Sequence, residues 1–335
     1  MNNIVHIGLG KTATTSLQKY VFPQIQQLRP QITYNDPKVL RDIDLFKIGR
    51  LDSEALHKLK DKLLAKKNFI SDEKLVNWNP RKWEASANEN FELFGSDTTI
   101  LITVRETEPY LRSVYQQMVH EGNIHSPENF FVSSQEYDAQ ERFLVPCLLQ
   151  RFDVDSFDLR TLSKIYTDRF SKVLIVPLNA INHLVFLRDM FDLSAVEHEN
   201  LCRIFKNRRR SNRAYSDVAM SLTFKRTCLL RYFGLELIGS DTTALERALI
   251  LKKSSVLELS SKSLSLRQKL SKPIPRAAKK IRKGFLIWRP LMQNIVSRYL
   301  FRRPYSLPDA TYINKGLAQS NNALIKELMD NKFKS

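Results

Sequence analysis

The chain has 335 residues, 43% of them hydrophobic, with 9 glycines and 13 prolines, which supplies a sizeable core and excludes collagen-like, low-complexity and wholly disordered classes. The net charge is +18, and it is unevenly spread: residues 203 to 303 hold 25 Lys and Arg against 5 Asp and Glu, while the rest of the chain holds 28 against 30. A block of that sign attracts polyanions, an anionic membrane surface or acidic substrates; the plainer alternative is a solvated helical extension.

The first element is read from "NIVHIGLGKTATTSLQKYVFP", residues 3 to 23. An apolar strand is followed by a Gly-Lys-Thr turn, hydroxyl residues and a helical pattern over 14 to 28. Further buried strands are predicted at 68 to 71 (NFIS), 99 to 104 (TILITV) and 172 to 178 (KVLIVPL). They are continuous in Ile and Val rather than alternating, as parallel strands covered on both faces are. Helices are expected near 53 to 67, 107 to 120, 135 to 150, 158 to 169 and 180 to 191. Strands alternating with helices predict an α/β protein with three layers, α/β/α, around a central parallel sheet. After about residue 195 the strand signals fade. Residues 213 to 270 carry helical spacing, 271 to 283 read as a basic linker, and a last helix starts near Pro308 and Asp309. The expected organisation is a core over 1–210, a basic, mostly helical region over 211–303, and a helix over 304–335 that returns to the core.

Cys147, Cys202 and Cys228 have no zinc-ligand or redox spacing and are expected to be buried, reduced thiols. The first strand begins near residue 3, so no signal peptide is expected before it. No apolar run reaches the roughly 18 residues needed to span a bilayer. A cytoplasmic setting is expected, with peripheral contact at the inner membrane face left to the basic block. Its segment "RKGFLIWRPLMQNIVSRYLFRR" mixes aromatic, aliphatic and cationic residues as interfacial segments do.

The turn at Lys11 reads as a phosphate-binding design, the plainer alternative being an ordinary strand, turn and helix with threonine caps. Gly8 and Gly10 are expected to let the backbone turn, and Thr14 or Thr15 to open a helix whose free N–H groups and dipole face an anion. Lys11 adds charge, and Thr12, Thr14, Thr15 and Ser16 add hydroxyls. A nucleoside-triphosphate loop of the G-x-x-x-x-G-K-[ST] form would need glycine at position 5, where this chain has valine. That weakens a P-loop kinase reading and leaves a loop for a different phosphorylated donor. A second anion feature follows in "TILITVRETEPYLRSVYQQM". Arg105 closes a strand, where ligands bind in open α/β sheets, and Ser113 lies eight residues on, about two helical turns later. Two adjoining phosphate pockets suit a bis-phosphorylated nucleotide.

Together these stretches resemble the sulfotransferases that use 3′-phosphoadenosine-5′-phosphosulfate (PAPS). "KTATT", Lys11 to Thr15, resembles that family's 5′-phosphosulfate loop, with Ala13 where glycine is usual. Arg105, Ser113 and Tyr115 resemble its 3′-phosphate motif. "FISDEKL", "RFSKVLIVPLNAI" and "QSNNALIKEL" are similar to its bacterial, carbohydrate-sulfating branch. The resemblance covers about residues 1 to 210 and the last thirty; 215 to 303 match nothing. It implies a P-loop-like fold and transfer of a sulfuryl group to an acceptor hydroxyl, without a metal.

The resemblance assigns Lys11 to the charge that builds on the bridging oxygen. It assigns Thr12, Ala13, Thr14, Thr15 and Ser16 to the phosphosulfate, and Arg105 with Ser113 to the 3′-phosphate. Should position 13 need positive φ, Ala13 carries a strain of roughly 1 kcal/mol; should it be helical, alanine fits. Glu73 is the expected general base, with Asp72, His120 and His125 as alternatives, and His6 belongs to the core. Arg208, Arg209 and Arg210 either touch the nucleotide or form a solvated face. The acceptor class implied is a carbohydrate or glycolipid, with an acidic glycan or a lipid-linked acceptor suited to the basic block. Nucleic acid is not expected, because no nucleic-acid module is recognisable. A non-catalytic basic protein that grips a polyanion or a membrane is the alternative outside enzymes.

Overall fold

The computed structural model describes residues 3–121, 125–140, 151–208, 215–232 and 314–332, together with 288, 291–300, 303 and 305–307. Among the described residues seven strands run in chain order as β1 (Ile4–His6), β2 (Ile32–Tyr34), β3 (Lys67–Ser71), β4 (Thr99–Val104), β5 (Phe131–Val132), β6 (Phe152–Asp153) and β7 (Lys172–Pro177). Five of them form a parallel sheet in the order β2-β3-β1-β4-β7, and β5 pairs with β6 in a small parallel ribbon. β1 is central: Ile4 lies opposite Phe69 of β3 on one side and Thr99 of β4 on the other. The chain leaves β1 towards one edge of the sheet and later returns to build the other. The ends of β3, β1 and β4 therefore surround a topological switch point, where open α/β sheets bind ligands.

Alternation along each strand feeds two cores. Val5, Ile70, Ile100, Ile102 and Ile175 point to one side, where they meet the helices Pro37–Lys47, Ser53–Ala65, Trp83–Phe94, Thr107–Glu121, Leu159–Thr167, Asp217–Tyr232 and Lys315–Lys332. Ile4, Phe69, Leu101 and Val176 point to the other, against residues 14 to 28 and the segments Leu178–His183, Val185–Phe191 and Ala195–Asn207. Burial on both faces explains why these strands are uniformly apolar, and the fold is α/β with helices on either side of a parallel sheet.

The four predicted strands and the helices at 14–28, 53–67, 107–120, 158–169 and 180–191 match observed elements to within a few residues, the last as two short segments. Missed were β2, the ribbon strands β5 and β6, and the helices Pro37–Lys47, Trp83–Phe94, Pro127–Phe130 and Ala195–Asn207. Two of these begin with legible caps: Asp36 accepts from the N–H groups of Lys38 and Val39, and Ser194 with Glu197 forms a capping box. The predicted helix at 135–150 is seen as Ser134–Gln140, and its remainder lies outside the described residues. The same holds for the helical reading beyond Tyr232, the linker at 271–283 and the helix start near Pro308.

Part of the basic block packs on the core. The helix Asp217–Tyr232 lies along Thr107–Glu121, where the Tyr215 N–H donates to Gln116 Oε1 (3.2 Å) and the Thr227 hydroxyl to the Val119 carbonyl (3.3 Å). Met292–Leu300, wound as a π-helix, packs against it in turn. No helix among the described residues is long and apolar enough to cross a membrane.

Candidate functional site

The Lys11 loop leaves the sheet between β3 and β4. Pairing with β4 continues beyond β1, with the Ile7 N–H donating to Leu101 O (2.9 Å) and the Leu9 N–H to Thr103 O (3.0 Å). Gly8 is demanded by space, since a Cβ there would stand 2.0 Å from Thr103 Oγ1 and 2.8 Å from His6 Nε2. The turn itself settles the question left open at position 13. Positive φ falls on Lys11 (69°) and Ala13 (63°), not on Gly8 or Gly10. A left-handed residue with a side chain costs roughly 1–2 kcal/mol, so the loop stores strain at two positions, one of them the site of the alanine.

A buried relay of hydrogen bonds holds the strained loop. The Thr12 hydroxyl donates to the Leu9 carbonyl (2.5 Å) and lies 2.6 Å from Thr103 Oγ1. With its single proton committed, Thr12 accepts from Thr103. Thr103 Oγ1 in turn lies 3.2 Å from His6 Nε2, and His6 Nδ1 lies 2.7 Å from Ser71 Oγ. The relay closes only when Nε2 carries the imidazole proton and Ser71 donates to Nδ1. His6 is fully buried, which pushes its pKa down to about 3 and keeps it neutral, as a relay of one donor and one acceptor requires. Gln18 Nε2 donates to Ser71 Oγ (3.1 Å), and Asn35 brackets the Ser71 backbone through both amide atoms (3.1 and 2.7 Å). Thr12 thus spends its hydroxyl inside the protein.

Past Ala13 the backbone turns helical. The Ala13 carbonyl accepts from the N–H groups of Ser16 and Leu17 (2.9 and 3.0 Å), which leaves the N–H groups before them as the orphan donors of a helix start. Thr14 is buried, Ser16 half-buried and Thr15 exposed. The helix then widens into a π-turn over Leu17–Val21 before Phe22–Leu28.

Glu73 opens the short turn after β3. Its carboxylate reaches the loop: Oε2 would stand 3.7 Å from a Cβ on Gly10, and Thr14 hydrogen-bonds it. Burial pushes its pKa up, against the pull of Lys11 and Thr14 and with a smaller push from Asp72. Asp72 is raised by burial as well, but it caps the turn, accepting from the Lys74 N–H at 2.9 Å.

Arg105 follows β4. Its Nη1 donates to Ser113 Oγ (3.1 Å) and approaches the Lys11 carbonyl (3.4 Å). Burial lowers its pKa, and the like charge of Arg112 lowers it further. The Lys11 ammonium donates to Gln117 Oε1 at 2.6 Å, one helical turn beyond Ser113. Tyr115 is buried and donates to the His125 carbonyl (2.9 Å), while His120 is buried against the Tyr215 hydroxyl (3.2 Å).

Lys11, Thr14, Glu73, Arg105 and Ser113 therefore come together at the ends of three adjacent strands, and Ala13 shapes their loop. The relay partners Ser71 and Thr103, and Gln117, were missed by the sequence reading. Arg208 lies over the Phe205 ring and donates to the Phe205 carbonyl; Arg209 and Arg210 lie outside the described residues. Among the described residues no group of three or more His, Cys, Asp and Glu could hold a metal ion. No family model, curated protein or solved structure matches the chain.

Proposed function

We propose that the chain is a sulfotransferase that moves a sulfuryl group from PAPS to an acceptor hydroxyl, on a fold that is P-loop-like in its sheet order and its phosphate loop. The observation that carries the reading is the Arg105 guanidinium, which bridges Ser113 and the Lys11 carbonyl and so joins two anion-binding features. One suits a phosphosulfate at the helix start, the other a separate phosphate gripped by an arginine fork.

In this reading the acceptor oxygen bonds to sulfur as the bond from sulfur to the 5′-phosphate oxygen breaks. The acceptor proton passes to Glu73, and 3′-phosphoadenosine-5′-phosphate leaves. Glu73, raised by burial yet kept ionisable by Lys11 and Thr14, is suited to a general base. Lys11 meets the charge that grows on the leaving oxygen, an interaction stronger in the transition state than before it. Residues 11 to 16 hold the phosphosulfate, with Thr12 acting through its backbone.

A carbohydrate or glycolipid is the proposed acceptor class. The exposed Leu222, Leu229, Ile295 and Leu300, on helices that carry Lys225 and Arg298, support peripheral contact with an anionic membrane at its inner face in a cytoplasmic protein.

The test is calorimetric titration with 3′-phosphoadenosine-5′-phosphate against ATP with magnesium, on the wild type and on Arg105→Ala. Binding of the bis-phosphate that weakens about a hundredfold in Arg105→Ala is the expected result. Preference for ATP overturns the reading in favour of a kinase. Binding of neither leaves a non-catalytic basic protein.

A further inference from the structure

The Tyr110 hydroxyl is fully buried and has no hydrogen-bond partner among the described residues. A hydroxyl in that position has given up its hydration and gained nothing in return. The ring does not need it. It lies parallel to Phe157, with centroids 4.6 Å apart and planes 7° from one another, and phenylalanine would make the same stack without the polar atom.

The helix sets where Tyr110 belongs. It lies three positions before Ser113 and seven before Gln117 on Thr107–Glu121, so the three residues share one face. Ser113 meets Arg105 and Gln117 meets Lys11, which makes this the face turned to the site. The charge felt at the phenol is that of Glu73. Burial and that charge both raise the phenol's pKa and keep it a protonated donor.

The groups that act on Glu73 come from three elements: Lys11 and Thr14 from the loop, Asp72 from its own turn and Tyr110 from the helix. Lys74, next to it in sequence, turns to Asp44 (3.4 Å). Thr14 hydrogen-bonds the carboxylate, and the charge of Lys11 favours its ionised form. These are the two groups that the sulfotransferase reading directs at the phosphosulfate. Once they serve an anion, Glu73 loses a donor and meets added negative charge. Both changes push it towards the protonated acid, which cannot act as a base.

We propose that Tyr110 is a positioning residue for Glu73: when an anion fills the loop and draws Lys11 and Thr14 to itself, the phenol hydroxyl donates to the Glu73 carboxylate in their place. The inference rests on the sulfotransferase reading and names the group that keeps its base ionised in the loaded site.

The experiment compares Tyr110→Phe with the wild type in thermal unfolding, in titration with 3′-phosphoadenosine-5′-phosphate, and in the pH profile of PAPS cleavage with water as acceptor. Carboxyl-carbon NMR, with the Glu73 signal assigned through Glu73→Gln, follows Glu73 directly, with and without the bis-phosphate. Tyr110→Phe is expected to unfold no lower than the wild type and to leave the titration of Glu73 unchanged without nucleotide. With the bis-phosphate bound, Glu73 should titrate about one pH unit higher in Tyr110→Phe than in the wild type. The acid limb of kcat should move up by the same amount. Equal titration of Glu73 in the two complexes overturns the inference and, where the wild type binds the bis-phosphate and cleaves PAPS, leaves the sulfotransferase reading standing. A shift of the same size without nucleotide, or a Tyr110→Phe protein that unfolds well below the wild type, also overturns it, since the hydroxyl is then engaged in the free protein. A wild type that neither binds the bis-phosphate nor cleaves PAPS overturns the reading itself, and the inference with it.

Discussion

The two halves of the site are built from different materials. The Lys11 loop is a backbone device: two left-handed residues, a glycine with no room for a Cβ, and a buried relay through Thr12, Thr103, His6 and Ser71. The Arg105 corner is a side-chain device, one guanidinium and one hydroxyl joined at 3.1 Å. A backbone device gives its ligand many fixed donors at once, but each supporting residue is tied to folding. A side-chain device can lose or change a member while the fold stands.

The largest effect should come from Glu73, the carboxylate beside the Lys11 loop. Glu73→Gln is expected to lower turnover by about 10²–10⁴ and at the same time to raise thermal stability at neutral pH. The sign follows from burial. The folded carboxyl has its pKa raised, so its ionisation costs stability as pH rises through that raised value. The stability gain of the glutamine variant should accordingly fade as pH falls from the raised value to the ordinary glutamate range, and be gone below it. Wild-type kcat should fall with acid at a higher pH than a solvated carboxylate would give. A variant with unchanged turnover removes Glu73 as the base.

Next comes the contrast between the halves. Thr103→Val breaks the relay and should cost about 1–3 kcal/mol in chemical unfolding, weakening bis-phosphate binding as a consequence of a loosened loop. Ser113→Ala should weaken that binding about tenfold with no change in the unfolding midpoint. Equal behaviour of the two variants in both measurements would dissolve the distinction. The smallest effect should be Ala13→Gly, which relieves a left-handed alanine (φ 63°) and should stabilise the protein by up to about 1 kcal/mol. No gain in the unfolding midpoint would mean the strain is compensated locally.

The strands that line the site were legible because burial on both faces forces continuous apolar runs, and Lys11, Arg105 and Ser113 because phosphate chemistry needs those residue types near strand ends. β2 was not, since Ile32–Tyr34 is three residues long at the sheet edge, with Thr33 and Tyr34 only half-buried. Nor were the groups that set the loop's precision. Lys11 and Gln117 are 106 positions apart, His6 and Thr103 97, and Thr12 and Thr103 91. A glutamine within an amphipathic helix, or a threonine within a strand, carries no sign of a partner so distant. Of the two conformations left open for position 13, the structure takes the left-handed one, and Lys11 joins it there. The left-handed pair flanks Thr12, whose partner Thr103 is 91 positions away.

Asn321 and Asn322, on the Lys315–Lys332 helix, fasten the start of the helix that carries Ser113. Asn322 Oδ1 accepts from the Thr107 N–H (3.2 Å), while the buried Asn321 amide donates to Thr107 Oγ1 (3.2 Å) and to the Phe157 carbonyl (2.8 Å), and accepts from the Leu159 N–H (2.8 Å). The clasp joins residues 215 positions apart. During synthesis the Arg105 corner therefore leaves the ribosome long before its fastening does, and the strongly basic stretch is made in between. The order of translation therefore leaves the start of that helix unfastened until Asn321 and Asn322 have been made.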